Sequence, residues 1–155
     1  ALKGLGVGEW VSDAKPWEGE CDIALPCATQ NELNEKDAEN LVDNGCWLVA
    51  EGANMPCTAA AARVLQENRV LHAPGKASNA GGVALSALEM GQNSEFSQRR
   101  FDELDEQLRK IMHCIHEQCL EFAGAADDGF VHYRKGANRA AFRRLASSLV
   151  SQGIG

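Results

Sequence analysis

The sequence predicts an α/β fold, half of a doubly wound parallel sheet followed by a C-terminal helical tail. Three observations carry that expectation. Short apolar runs at residues 22–26, 47–50 and 70–73 alternate with two helical stretches at a steady pitch, which implies parallel pairing with right-handed crossovers. The runs read as apolar throughout, as in strands covered by helices on both faces. From Ser78 onward no strand signal returns.

Each element has its own local cause. The first strand runs to Pro26, and Asn34 is the expected cap of a helix from about 35 to 44, which Gly45 stops. A strand at 47–50, a helix at about 58–68 and a strand at 70–73 follow, until Pro74 and Gly75 end the run. Helices are then expected at about 78–93, 97–123 and 137–151. A polar connection from 124 to 135 joins the last two, with Asp127-Asp128-Gly129 as its turn. There is no internal repeat and no low-complexity tract. Residues 1–76 read as the C-terminal half of a dinucleotide-binding, Rossmann-like domain, and residues 77–155 as a cleft helix with the C-terminal helices that pack on it.

Residues 73–93 are the most suggestive stretch. Ser78 or Asn79 can cap the helix, and Gly81-Gly82 let another group approach its first turn, an arrangement suited to a polar or anionic ligand. Asn79, Val83, Ser86 and Met90 fall on one face, while Ala84, Leu85 and Leu88 point into packing. The plainer alternative is a buried helix with Asn79 only as its cap. In open parallel sheets ligands bind beyond the carboxyl ends of the strands. That edge gathers Thr29, Gln30, Asn54 and Asn79, neutral hydrogen-bonding groups that suit a carboxamide and ribose hydroxyls better than phosphates. Thr29 and Asn54 could also simply close turns. Gly4-Leu-Gly-Val-Gly8 imitates a dinucleotide fingerprint weakly, because no apolar strand precedes it and no helix opens after it.

Charge and cysteine usage narrow the partners. Of the net charge of −7, residues 1–94 carry 13 acidic and 6 basic side chains, which argues against nucleic acid. Arg134, Lys135, Arg139, Arg143 and Arg144 cluster near the C-terminus, but without an aromatic platform they read as a solvated helix face. No apolar run approaches the ~20 residues of a membrane span. Six scattered cysteines fit reduced thiols in a cytoplasmic protein, with no disulfide expected. His113, Cys114, His116 and Cys119 do not converge on a helix, so Cys119 reads as core and no metal site is expected. Glu51 and Lys76 invite an acid/base reading.

Three ordered motifs carry a family resemblance: Lys15-Pro-Trp-Glu18 leading into residues 21–33, Ala50-Glu-Gly-Ala-Asn-Met-Pro56, and residues 73–93. With His132-Tyr-Arg-Lys-Gly-Ala-Asn138 before the last helix, they resemble the glutamate dehydrogenase family, closest to its small NADP-type hexameric members. The resemblance runs from about Pro16 to the C-terminus and covers what looks like the C-terminal third of such enzymes, so the chain reads as a fragment. It implies hydride transfer between L-glutamate and NADP, NAD not being excluded, with 2-oxoglutarate and ammonium as products, in a homohexameric parent. It also implies that Thr29, Asn54 and Asn79 lie beside the nicotinamide and its ribose. Val83 and Ser86 would line the pocket for the substrate's side-chain carboxylate, with Ala87 standing where glycine is usual. The family's catalytic lysine and aspartate belong to an N-terminal substrate domain that no stretch here matches, so no catalytic residue is assigned and the fragment is expected to be inactive alone. Glu51 and Lys76 have no catalytic role in that family. The rival readings are a dehydrogenase of apolar amino acids on the same architecture and a non-catalytic nucleotide-binding or assembly module.

Overall fold

The computed structural model describes residues 11–124 and 129–154, so the glycines at 4–8 and the Asp127-Asp128 turn lie outside the described residues. Three strands, β1 (Ile23–Ala24), β2 (Leu48–Ala50) and β3 (Leu71–Ala73), form one sheet in the order β1-β2-β3. Both pairings are parallel, with Ile23 beside Leu48 and Val49 beside His72. The expected topology is present.

The helices between the strands start where short polar side chains replace missing backbone partners. Asn34 accepts from the Asp37 amide while Asp37 accepts from the Asn34 amide, a reciprocal cap that opens α1 (Glu35–Asp43). Lys15 Nζ lies 2.6 Å from Asp37 Oδ2, tying the 3-10 turn at Pro16–Glu18 to the same point. Gly45, at φ +80°, ends the helix in a conformation that glycine adopts without penalty. Thr58 caps α2 (Ala59–Glu67) through the Ala61 amide. Leu33, Leu41, Val49 and Leu65 fill the space between these helices and the sheet, fully buried with Trp17 beside them.

The tail departs from the expected boundaries. The helix expected at 78–93 is α4 (Ala80–Glu95), and a short α3 (Gly75–Ser78) precedes it where a turn was expected, the two divided at Asn79. Phe96, left-handed at φ 52°, ends α4, and the next helix, α5 (Phe101–Ala123), starts later than 97 because Arg100 is extended. The last, α6 (Tyr133–Ser151), starts before 137 because Tyr133 through Gly136 already turn helically, the Gly136 amide donating to His132 O. Leu85, expected in packing, is exposed, as is Phe101, because α4 packs on α5 along one side only and buries no residue fully. Where α5 and α6 meet, Gly136 sits so close to the Cys119 carbonyl that no Cβ fits between them. Cys119 is indeed core, with Ala77 and Ala137 around it. All six cysteines are free thiols. Among the described residues no helix is long and apolar enough to cross a membrane.

Candidate functional site

The loops leaving β1, β2 and β3 are laced together at the carboxyl edge of the sheet. The amides of Gly52 and Ala53 both donate to Pro26 O, at 2.9 and 3.0 Å, and the Asn31 amide donates to Met55 O. Gly52 packs directly on Cys27, so that a side chain there would have to displace the Cys27 sulfur. Gly75 is similarly confined, since a Cβ there would come within 2.8 Å of Ala53 O. These close approaches create a cleft of about 620 Å³ whose lining includes Thr29, Gln30, Asn54, Asn79 and Val83.

Asn79 holds the N-cap position of α4, but its side chain makes no capping bond. Its own backbone, at φ −99° and ψ 5°, is near-helical rather than extended, so its side chain is directed elsewhere. Nδ2 lies 2.9 Å from Asn54 Oδ1 and 3.2 Å from both Gly52 O and Ala53 O, joining the first turn of α4 to the loop after β2. The structure thus brings together four of the sequence-derived residues, Thr29, Asn54, Asn79 and Val83. Ser86 is one turn farther along α4, exposed and outside that lining, and its hydroxyl donates to Gly82 O at 3.1 Å.

Under the cleft lies a buried polar group that the sequence reading left without a role. The third strand is not apolar throughout: His72 is buried, and its Nε2 lies 2.9 Å from Glu51 Oε1. Glu51 Oε2 accepts from the Gly75 amide at 2.6 Å, and the Cys57 thiol also hydrogen-bonds the carboxylate. Burial alone would raise the Glu51 pKa, but the hydrogen bonds from His72 and Gly75 outweigh it and hold the carboxyl below the usual range. Burial, reinforced by the Glu51 charge, pushes the Cys57 thiol far up. Ser78 Oγ donates to Glu51 O at 2.6 Å, so backbone and side chain of Glu51 both anchor α3. Lys76 faces away, donating to Asn138 Oδ1 at 2.6 Å, and has no contact with Glu51 among these bonds. A polar residue in the middle of an apolar strand was the signal for this pair. The register of β2 and β3 places Glu51 one step beyond Ala50, within reach of His72.

Among the described residues, Glu51, Cys57 and His72 are the one group whose His, Cys and carboxylate atoms converge closely enough for a metal ion. In the stretch 113–119, by contrast, His113 and Cys114 are exposed while Cys119 is buried against α6. The Thr29–Asn54–Asn79 cleft offers amide and hydroxyl groups in a nearly uncharged wall, a donor set that fits a carboxamide and ribose hydroxyls.

Known proteins share this architecture and much of the sequence. Residues 4–153 match the Glutamate/Leucine/Phenylalanine/Valine dehydrogenase family. The NADP-specific glutamate dehydrogenase of Psychrobacter sp. (strain TAD1) is 53% identical over 150 residues, 95% of this chain and 34% of that protein. A glutamate dehydrogenase of Bacteroides thetaiotaomicron is 54% identical over 94% of this chain and 33% of its own length. Among solved structures, the Plasmodium falciparum glutamate dehydrogenase superposes with a TM-score of 0.83 at 44% identity, covering 90% of this chain and 30% of that one. A lysine-to-leucine mutant of glutamate dehydrogenase gives 0.90 at 37% identity over 99% of this chain and 34% of its own. The chain therefore spans about a third of the length of the relatives it matches. With the parallel sheet, the laced carboxyl edge and these matches together, the chain belongs to the glutamate/leucine/phenylalanine/valine dehydrogenase family.

Proposed function

We propose that these residues form the nicotinamide side of a glutamate dehydrogenase that interconverts L-glutamate with 2-oxoglutarate and ammonium, using NADP or, alternatively, NAD. The observation that carries the reading is the convergence of Thr29, Asn54, Asn79 and Val83 on one cleft at the carboxyl edge of the sheet. In this reading residues 1–76 are the C-terminal half of the dinucleotide-binding domain and residues 77–155 the cleft helix with its supporting tail. The nicotinamide ring supplies the hydride chemistry when bound.

The chain's own groups would position and desolvate. Asn54 and Asn79, already hydrogen-bonded to each other, would present amide groups to the carboxamide and ribose. Thr29 would add a hydroxyl from the loop after β1. Val83 and, one turn on, Ser86 would line the pocket for the side-chain carboxylate of the substrate. A dehydrogenase of apolar amino acids, built on the same fold, has no use for a hydroxyl at that place. The homohexameric assembly and cytoplasmic location suggested by the sequence belong to the same proposal.

The test is an assay of the whole polypeptide that contains these residues, with 2-oxoglutarate, ammonium and each reduced cofactor, beside the keto acids of leucine and valine. Consumption of NADPH or NADH with 2-oxoglutarate at least tenfold faster than with the apolar keto acids is the expected result. Preference for an apolar keto acid would assign the rival activity.

A further inference from the structure

The buried group beneath the cleft has a chemistry that the dehydrogenase reading does not use. Glu51, Cys57 and His72 each offer one ligand atom, and all three atoms lie within 4.8 Å of one another. They come from the end of β2, the approach to α2 and the middle of β3, so the tertiary fold assembles them rather than one loop. Glu51 and His72 are each only 6% exposed, which rules out a chance meeting of mobile surface groups.

We infer that Glu51, Cys57 and His72 form a binding site for a divalent cation of borderline softness, of the zinc class. The donor set decides the class. Thiolate and imidazole with one carboxylate oxygen suit zinc, whereas magnesium and calcium call for oxygen alone. The charges also close, because one thiolate and one carboxylate neutralise a dication. In the cation-free state two protons bridge the three residues, one from His72 to Glu51 Oε1 and one from the Cys57 thiol to the same carboxylate. As the cation binds, the Cys57 thiol proton leaves to solvent and the His72 proton moves from Nε2 to Nδ1, which keeps the ring neutral and frees Nε2 as a ligand. Glu51 Oε2 keeps its bond from the Gly75 amide throughout, so ligation leaves the turn intact.

Geometry asks little of the fold. Zinc bound at about 2.0–2.3 Å from each ligand holds neighbouring ligand atoms roughly 3.5 Å apart, so the Glu51–His72 pair, 2.9 Å apart, opens by roughly half an ångström and the widest pair, within 4.8 Å, closes by no more than roughly 1.3 Å. His72 Nδ1, the ring nitrogen that does not face Glu51, is buried with no hydrogen-bond partner among the described residues. His72 also lines a cavity of about 20 Å³, large enough for one water, which would hold the ring as an outer-shell partner holds a metal-bound imidazole. The fourth coordination position opens on a second cleft, of about 590 Å³, lined by all three residues with Asn138 and Arg134. That position is left for water or a small anion.

The experiment is a metal titration of the whole polypeptide that contains these residues, stripped with chelator and kept reduced. Zinc is titrated against a chromogenic chelator and cobalt is followed by absorption. One equivalent per chain is expected, with a thiolate-to-cobalt charge-transfer band in the near ultraviolet. Cys57→Thr keeps the Glu51–His72 pair and the fold, checked by circular dichroism, and should lose the band and bind zinc at least about tenfold more weakly. Absence of stoichiometric zinc uptake, or uptake and a cobalt band unchanged in Cys57→Thr, would overturn the inference. Neither readout depends on dehydrogenase turnover, so failure here leaves the proposed activity untouched and failure of that activity leaves the site standing.

Discussion

Ser86 and Asn79 share a helix face but stand at different distances from the cleft, and their substitutions should therefore separate. In the proposed enzyme, Ser86→Ala removes one charge-assisted hydrogen bond to the substrate carboxylate, worth about 1.5–3 kcal/mol or roughly ten- to hundredfold in kcat/KM for glutamate. Cofactor affinity should be nearly unchanged. A Ser86→Ala enzyme that kept its preference for glutamate over norvaline would remove that hydroxyl from the site. Asn79→Ala should instead lower kcat, because it breaks the amide contacts to Asn54, Gly52 and Ala53 and so loosens the loop after β2. Glu51 gives a pH-dependent test. Its folded-state pKa lies below its ordinary value of 4.5, so its ionised form stabilises the fold above that value, and the contribution is lost as pH falls through the depressed one. The stability difference between wild type and Glu51→Gln, measured by urea unfolding, should therefore be largest near neutrality and shrink below pH 4.5.

At the scale of elements, two local devices have consequences of predictable size. Asn34→Ala removes one half of the cap on α1 and should cost about 1 kcal/mol, a fall of about 2–4 °C in Tm by calorimetry. Gly136→Ala inserts a methyl where α6 meets the Cys119 carbonyl, and should lower the denaturant midpoint by an amount equivalent to about 1–3 kcal/mol. An unchanged midpoint would mean that α5 and α6 can separate freely. The strands and α1 and α2 were legible because each lies between a cap and a breaker, as with Asn34 and Gly45. The start of α4 beside Asn79 was legible too, from the caps that Ser78 and Asn79 offer, whereas the helical turn at 75–78 was not. The bond from the Asn79 amide to Asn54 also stayed hidden, because 25 residues of chain separate the two. The neutral edge of Thr29, Asn54 and Asn79 followed from the rule that parallel strands present ligands at their carboxyl ends. The Glu51–His72–Cys57 group did not follow, because it depends on the register between β2 and β3. Periodicity also put Ser86 on the face of Asn79 and Val83 without revealing that the cleft lining stops at Val83.

Across the whole molecule, large apolar side chains remain uncovered on the tail: Phe96 is 98% exposed, Phe101 80% and Val150 72%. Isolated monomers seldom present so many together. The 155-residue chain studied alone should therefore bind a hydrophobic dye and self-associate without a fixed size, visible by light scattering, and the whole polypeptide should bind little dye and scatter as one defined oligomer. Under the proposed function the chain alone should also fail to oxidise NADPH with 2-oxoglutarate and ammonium, because the family's acid/base residues match no stretch of it. Turnover by rigorously pure chain would refute that division of labour. The molecule's two halves meet at Glu51, whose bonds have a consequence in time as well as in space. The Glu51 amide donates to Ala73 O, its carboxylate holds the Gly75 amide and its carbonyl holds Ser78, while the Asn79 amide donates to Gly75 O. No one of these can be broken by a small local fluctuation without disturbing the next. The amides of Glu51, Gly75 and Asn79 should then exchange with deuterium at one common rate, as a single cooperative unit that spans the sheet end and the cleft.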